Sequence, residues 1–162
     1  IIEECPAGTP NSMERDGKTY KFKDESYKTG NFKEWPCPGT RPSKQFGAMV
    51  DQGDVVAMFF GHDHNNSFEV SYKGIDLVAT PGFTFSSYGN EDKGFRVIDL
   101  DESDTSSYET HLVHWKDYYG SNKMAMNHYN MYAQENSGWI KFTSALKYIP
   151  FALIKVLFGY IF

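Results

Sequence analysis

Val55-Val56-Ala57-Met58-Phe59-Phe60-Gly61-His62-Asp63-His64-Asn65 is the stretch that decides the fold. Six apolar residues in a row read as a strand buried on both faces, the kind found inside parallel or mixed sheets. Gly61 gives the chain an unobstructed exit from that strand. In an extended segment His62 and His64 share a face, roughly 6.5–7 Å apart, while Asp63 points the other way. Two ions about 3.5–4 Å apart could each take one of these imidazoles. Each ring would need its second nitrogen held, and Asp63 or Asp54 offers a carboxylate for that. Two histidines alone do not hold a catalytic metal, so further ligands are required.

Working outward, Phe46, Met49 and Val50 recur at helical spacing with Gly53 as a stop, which predicts a short helix over 42–52. Downstream, Phe68 to Tyr72 and Ile75 to Thr80 flank Lys73-Gly74, which predicts a tight hairpin. Pro81-Gly82 ends its second strand. Further strands are expected at 95–100 and 108–115, separated by the acidic loop 101–106. Residues 1–40 read as an irregular surface region, with at most one short strand around Tyr20-Lys21-Phe22. Residues 117–135 are loosely helical. The end of the chain, 148–162, is almost entirely apolar and shorter than the roughly 20 residues a membrane span needs. Pro150 fits near a helix start there. The tail reads equally as a packed helix or as a membrane contact.

At 162 residues the chain is sized for one domain. Its net charge of −5, and arginine only at Arg15, Arg41 and Arg96, exclude a nucleic-acid surface. The start, Ile1-Ile2-Glu3-Glu4-Cys5, is no signal peptide, and the chain reads as an internal piece of something longer. Cys5 and Cys37 fit a disulfide or two free thiols. The compartment stays open, secreted or membrane-associated included. The sequon Asn65-Asn66-Ser67 reads as an unused match, with both asparagines shaping the turn or touching substrate.

The Gly-His-Asp-His core, the strand before it, Gly74-Ile75-Asp76-Leu77, Ser87-Tyr88-Gly89 and Gly94 to Leu100 resemble the last metal motif of the calcineurin-like metallophosphoesterases, on the purple-acid-phosphatase-related branch. The resemblance covers about Arg41 to Trp115. It implies an α/β fold, part of a layered αββα sandwich with a mixed sheet, followed by a helical extension over 117–162. It also implies that His62 ligates one metal and His64 another. Asp63 and Asn65 would stand behind the ligands or against substrate. Two iron, zinc or manganese ions would hold the phosphoryl oxygens of a phosphate ester and activate the attacking water. The family's earlier motifs, Asp-x-His, Gly-Asp-x-x-Asp and Gly-Asn-His, are absent. After Gly53-Asp54 the needed Asp is replaced by Ala57, and Gly89-Asn90 is followed by Glu91. The expected function is thus the C-terminal portion of a two-metal phosphoesterase, inactive without its missing N-terminal half. The rival is a degenerate, non-catalytic domain that binds a partner or membrane.

Overall fold

The structure is a computed structural model that describes residues 1–84, 87–133 and 136–158. It is mixed α/β, with several small sheets and few helices. The first forty residues correct the expectation of an irregular region with one strand. Strands β1 (Ile2–Cys5), β2 (Ser12–Arg15) and β3 (Lys18–Phe22) form an antiparallel sheet in the order β1-β3-β2. The β2–β3 connection is Asp16-Gly17, with φ of 52° and 75° and Arg15 opposite Lys18. Both positive φ values suit a two-residue hairpin turn, and Asp-Gly is its usual sequence. Charged residues fill much of the two strands, and only Met13, Tyr20 and Phe22 carry an apolar signal on either side of the turn.

A second sheet follows the order β4-β6-β7-β5, built from β4 (Tyr27–Thr29), β5 (Ala57–Phe60), β6 (Glu69–Tyr72) and β7 (Ile75–Ala79). The β6–β7 hairpin turns on Lys73 and Gly74, at φ of 52° and 80°, as the sequence predicts. β5 pairs parallel with β7, so the sheet is mixed. β5 is nevertheless its edge strand, half-buried along its length, and shorter than the apolar run. Val56 lies outside it and is exposed. An expectation of burial on both faces fails here because only β7 flanks the strand.

The core lies between these two sheets. Phe22 of β3 packs with Phe32, Phe68, Val70 and Ala79, and Trp35 and Phe60 close the cluster. Helix α1 (Gln45–Gln52) forms where expected, capped by Gly53 at φ 78°, whose N–H donates to the Met49 carbonyl. It buries no residue fully, and Phe46 stacks on Tyr72 at 5.6 Å.

β8 (Gly94–Asp101) and β9 (Asp104–His114) form a long hairpin, so the acidic loop contracts to a tip, with Asp101 opposite Asp104. Arg96 fastens this hairpin to the mixed sheet. Its buried guanidinium pairs with Glu69 at 2.6 Å and donates to the carbonyls of Ser67 and Ala79. Helices α2 (Trp115–Tyr119), α3 (Lys123–Tyr132) and α4 (Gly138–Phe158) follow. Trp115, Tyr129 and Ala133 make a second small core. Pro150 sits inside α4 rather than at its start, because Ser137 Oγ already caps the helix by accepting the Ile140 N–H. Cys5 and Cys37 are free thiols.

Candidate metal centre

β5 ends at Phe60, and the chain bends rather than continuing extended. His62 takes a φ of 87°, a left-handed value that costs a non-glycine residue about 1–3 kcal/mol and clusters at functional sites. Its ring lies at the surface. The Asn66 N–H closes a turn on the Asp63 carbonyl at 3.2 Å. Asp63 is buried, 8% exposed, and it is this bend, not the alternation of an extended strand, that puts it there. Its carboxylate faces the Cys37 N–H at 3.4 Å, not either imidazole. Burial pushes the Asp63 carboxyl up, the Cys37 N–H opposes this, and the Glu34 charge adds to the rise.

His64 is held on three sides. Its ring stacks on Tyr88, with centroids 4.4 Å apart and planes 21° apart. Nδ1 lies 3.1 Å from the Tyr88 carbonyl. A Cβ built on Gly82 would come within 2.9 Å of His64 Cβ and Cγ, so only glycine leaves room for the ring. The Gly82 N–H also donates to the His64 carbonyl. The group that orients this imidazole is thus a backbone carbonyl, and neither Asp63 nor Asp54 does so. With Nδ1 taken as donor, Nε2 is the ring nitrogen with a lone pair to offer.

Glu34 ties the loop to the N-terminal part of the chain. Its carboxylate accepts from the Tyr88 hydroxyl at 2.6 Å and from the Asn65 N–H at 3.1 Å. Burial raises the Tyr88 phenol, and its bond to Glu34 raises it further. Asn66, wholly buried, accepts the N–H groups of Lys33 and Glu34 and donates to the Glu34 carbonyl. Ser67 donates to Asp92 at 2.6 Å, and the Asn31 side chain donates to the same carboxylate oxygen. The Asn65 carbonyl accepts from Asn90, whose own carbonyl accepts from the Tyr129 hydroxyl of α3. The Asn65 backbone and the Asn66 side chain are both held in this framework, and the Ser67 hydroxyl is buried.

Sequence reasoning gives little weight to Tyr88, and Glu34 and Gly82 escape it as parts of the site. Glu34 and Asn66 stand about thirty residues apart, and no local pattern announces such a contact. Gly82 reads as a strand terminator next to Pro81.

Among the described residues no group of three or more His, Cys, Asp or Glu side chains converges on a point where a metal could sit. The chain offers two imidazoles, one of them pre-oriented. That fits part of a two-metal centre and not the whole of one.

Two relatives match stretches of this chain. A protein of Arabidopsis thaliana named "Probable inactive purple acid phosphatase 29" is 36% identical over 58 residues, 35% of this chain and 15% of that protein. Another from the same plant, "Probable inactive purple acid phosphatase 14", is 34% identical over 68 residues, 42% of this chain and 17% of its own length. Part of the chain is thus similar to proteins named as inactive purple acid phosphatases. The matched stretches span about a sixth of these relatives, far less than two thirds. No family model matches the chain, and no solved structure matches significantly.

Proposed function

We propose that this chain is the C-terminal portion of a purple-acid-phosphatase-related phosphoesterase, and that His62 and His64 each give one imidazole to a two-metal centre. The remaining ligands would come from polypeptide beyond this sequence, within the layered αββα sandwich that the resemblance implies. The observation that carries this reading is the clamp on His64: Nδ1 against the Tyr88 carbonyl and the ring packed over Gly82. A surface histidine has no need of such a clamp, whereas metal-ligating imidazoles characteristically have one nitrogen fixed by a carbonyl or carboxylate. Strained backbone at His62 favours the same reading. Iron, zinc or manganese would supply Lewis acidity toward a phosphate ester. Asp63 and Asn65 act on the loop's shape rather than on substrate.

The test uses the complete protein encoded by the parent reading frame. Metal analysis should find about two ions per chain. His62→Ala and His64→Ala should each lower the metal content and abolish nitrophenyl phosphate hydrolysis. Unchanged metal content in both variants sinks the site.

A second reading has one observation in its favour: both relatives are themselves named inactive. On that reading the complete protein keeps the loop as a scaffold, without turnover. Metal bound with no hydrolysis of any phosphate ester would select it.

A further inference from the structure

We propose that α4 is an interfacial helix that lays its outer face on an anionic lipid surface. Trp139, Phe142, Leu146, Ile149, Leu153 and Val156 follow one another at alternating steps of three and four, which places them along one stripe of the helix. All six are exposed, from 49% for Ile149 to 72% for Trp139. The helix packs on α3 through its other side, where Ser144 is buried and Tyr148 stacks on His128 at 4.4 Å. The usual arrangement is altered: Ser144 and Tyr148 are turned inward, while the large apolar stripe faces outward. Ile140 and Ile154, also exposed, widen the apolar arc beyond that stripe.

Charge selects the occupant. From Asn136 onward the sequence holds Lys141, Lys147 and Lys155 and no acidic residue, in a chain whose net charge is −5. A second copy of α4 would bring lysines toward lysines with no carboxylate to answer them. A two-stranded seam is also narrower than this arc. An anionic bilayer meets both features: its surface attracts the lysines and its acyl boundary takes the apolar side chains. No helix among the described residues is long and apolar enough to cross a membrane. The one-sided exposure of the apolar stripe of α4, with the opposite side on α3, suits contact along a surface. Trp139 suits that depth, since indole rings favour the headgroup level.

The experiment is flotation of the complete chain with vesicles of phosphatidylcholine alone or with about 30% phosphatidylserine. The chain should float with the anionic vesicles, and raising salt from about 0.1 M to about 1 M should weaken this. Leu146→Gln with Leu153→Gln should cut partitioning roughly tenfold or more. Lys147→Gln with Lys155→Gln should lower the preference for phosphatidylserine, about fivefold per lysine, leaving the share of Lys141. Leu100→Gln, at an exposed apolar site on β8, should change nothing. Brominated lipid should quench part of the tryptophan emission, and Trp139→Phe, which leaves Trp35 and Trp115, should remove that quenching; this reads contact without relying on the glutamine variants. Flotation that is absent, or equal in chain and glutamine variant, overturns the proposal. So does a lipid-free dimer in sedimentation that the same substitutions dissolve.

Discussion

Gly82 lies directly beneath His64: a methyl group in place of its hydrogen would approach the imidazole Cβ and Cγ to 2.9 Å and Nδ1 to 3.1 Å. The neighbour is a ring already pinned by Tyr88, so it cannot step aside without losing its stack and its bond to the Tyr88 carbonyl. Gly82→Ala should therefore cost about 1–3 kcal/mol, as overpacking does. Urea unfolding reads the stability. The histidine ring resonances should shift for His64 and stay for His111. In the complete protein the same change should weaken metal binding although it removes no ligand.

Asn66 replaces a piece of secondary structure. It satisfies three backbone groups of Lys33 and Glu34 at 2.7–2.9 Å, in full burial. Asn66→Ala strands two N–H donors and a carbonyl, and each stranded group costs about 1–3 kcal/mol. A loss of roughly 3 kcal/mol is expected by urea unfolding. Hydrogen exchange at the Lys33 and Glu34 amides should accelerate more than exchange in the β1–β3 sheet. Equal acceleration throughout would mean global unfolding rather than a local role for Asn66.

Arg96 joins the β8–β9 hairpin to the mixed sheet with a side chain only 3% exposed. Truncation to methionine leaves Glu69 without its cation and two carbonyls without a donor. Arg96→Met should cost about 3–5 kcal/mol, and the double change Arg96→Met with Glu69→Met distinctly less. A double substitution as costly as the single one would show that packing, not the buried pair, sets the loss.

Asp76 gives a pH dependence with a definite sign. Burial raises its carboxyl, but hydrogen bonds from Lys28 and Tyr108 outweigh that and hold it below the usual carboxylate range. Burial, then the bond to Asp76, raises the Tyr108 phenol. The folded pKa of Asp76 lies below the unfolded one, so the native state binds fewer protons. Its stabilisation is complete above about pH 4–5 and fades as pH falls through the folded value. Asp76→Asn should be about 1–2 kcal/mol less stable at neutral pH and nearly equal to the parent near pH 2. Denaturation midpoints across that range check it. A constant difference at all pH values would remove the ionic contribution.

These sites differ in how far the sequence foretells them. The β6–β7 hairpin is legible because Lys73-Gly74 supplies its own turn chemistry. Helix α1 is legible because its apolar spacing and Gly53 both act within a few residues. The three-stranded sheet at the start is not, because Ile2–Cys5 and Ser12–Arg15 carry charges on strands that bury little. Their stability comes from Phe22 reaching Phe32 and Phe68 across the core, at 4.6 Å each.

By itself the sequence determined the strand, the glycine exit and the two imidazoles of the 55–65 segment, since each follows from a residue and its immediate neighbours. Only the tertiary structure decided that β5 is an edge strand, that Tyr88 and Gly82 position His64, and that α4 turns its apolar stripe outward. The physical reason is range. Strand alternation, turn geometry and helix spacing are set by neighbouring backbone torsions. Which face is buried, and which carbonyl meets which ring, depends on segments far apart in the chain that only a folded core brings together.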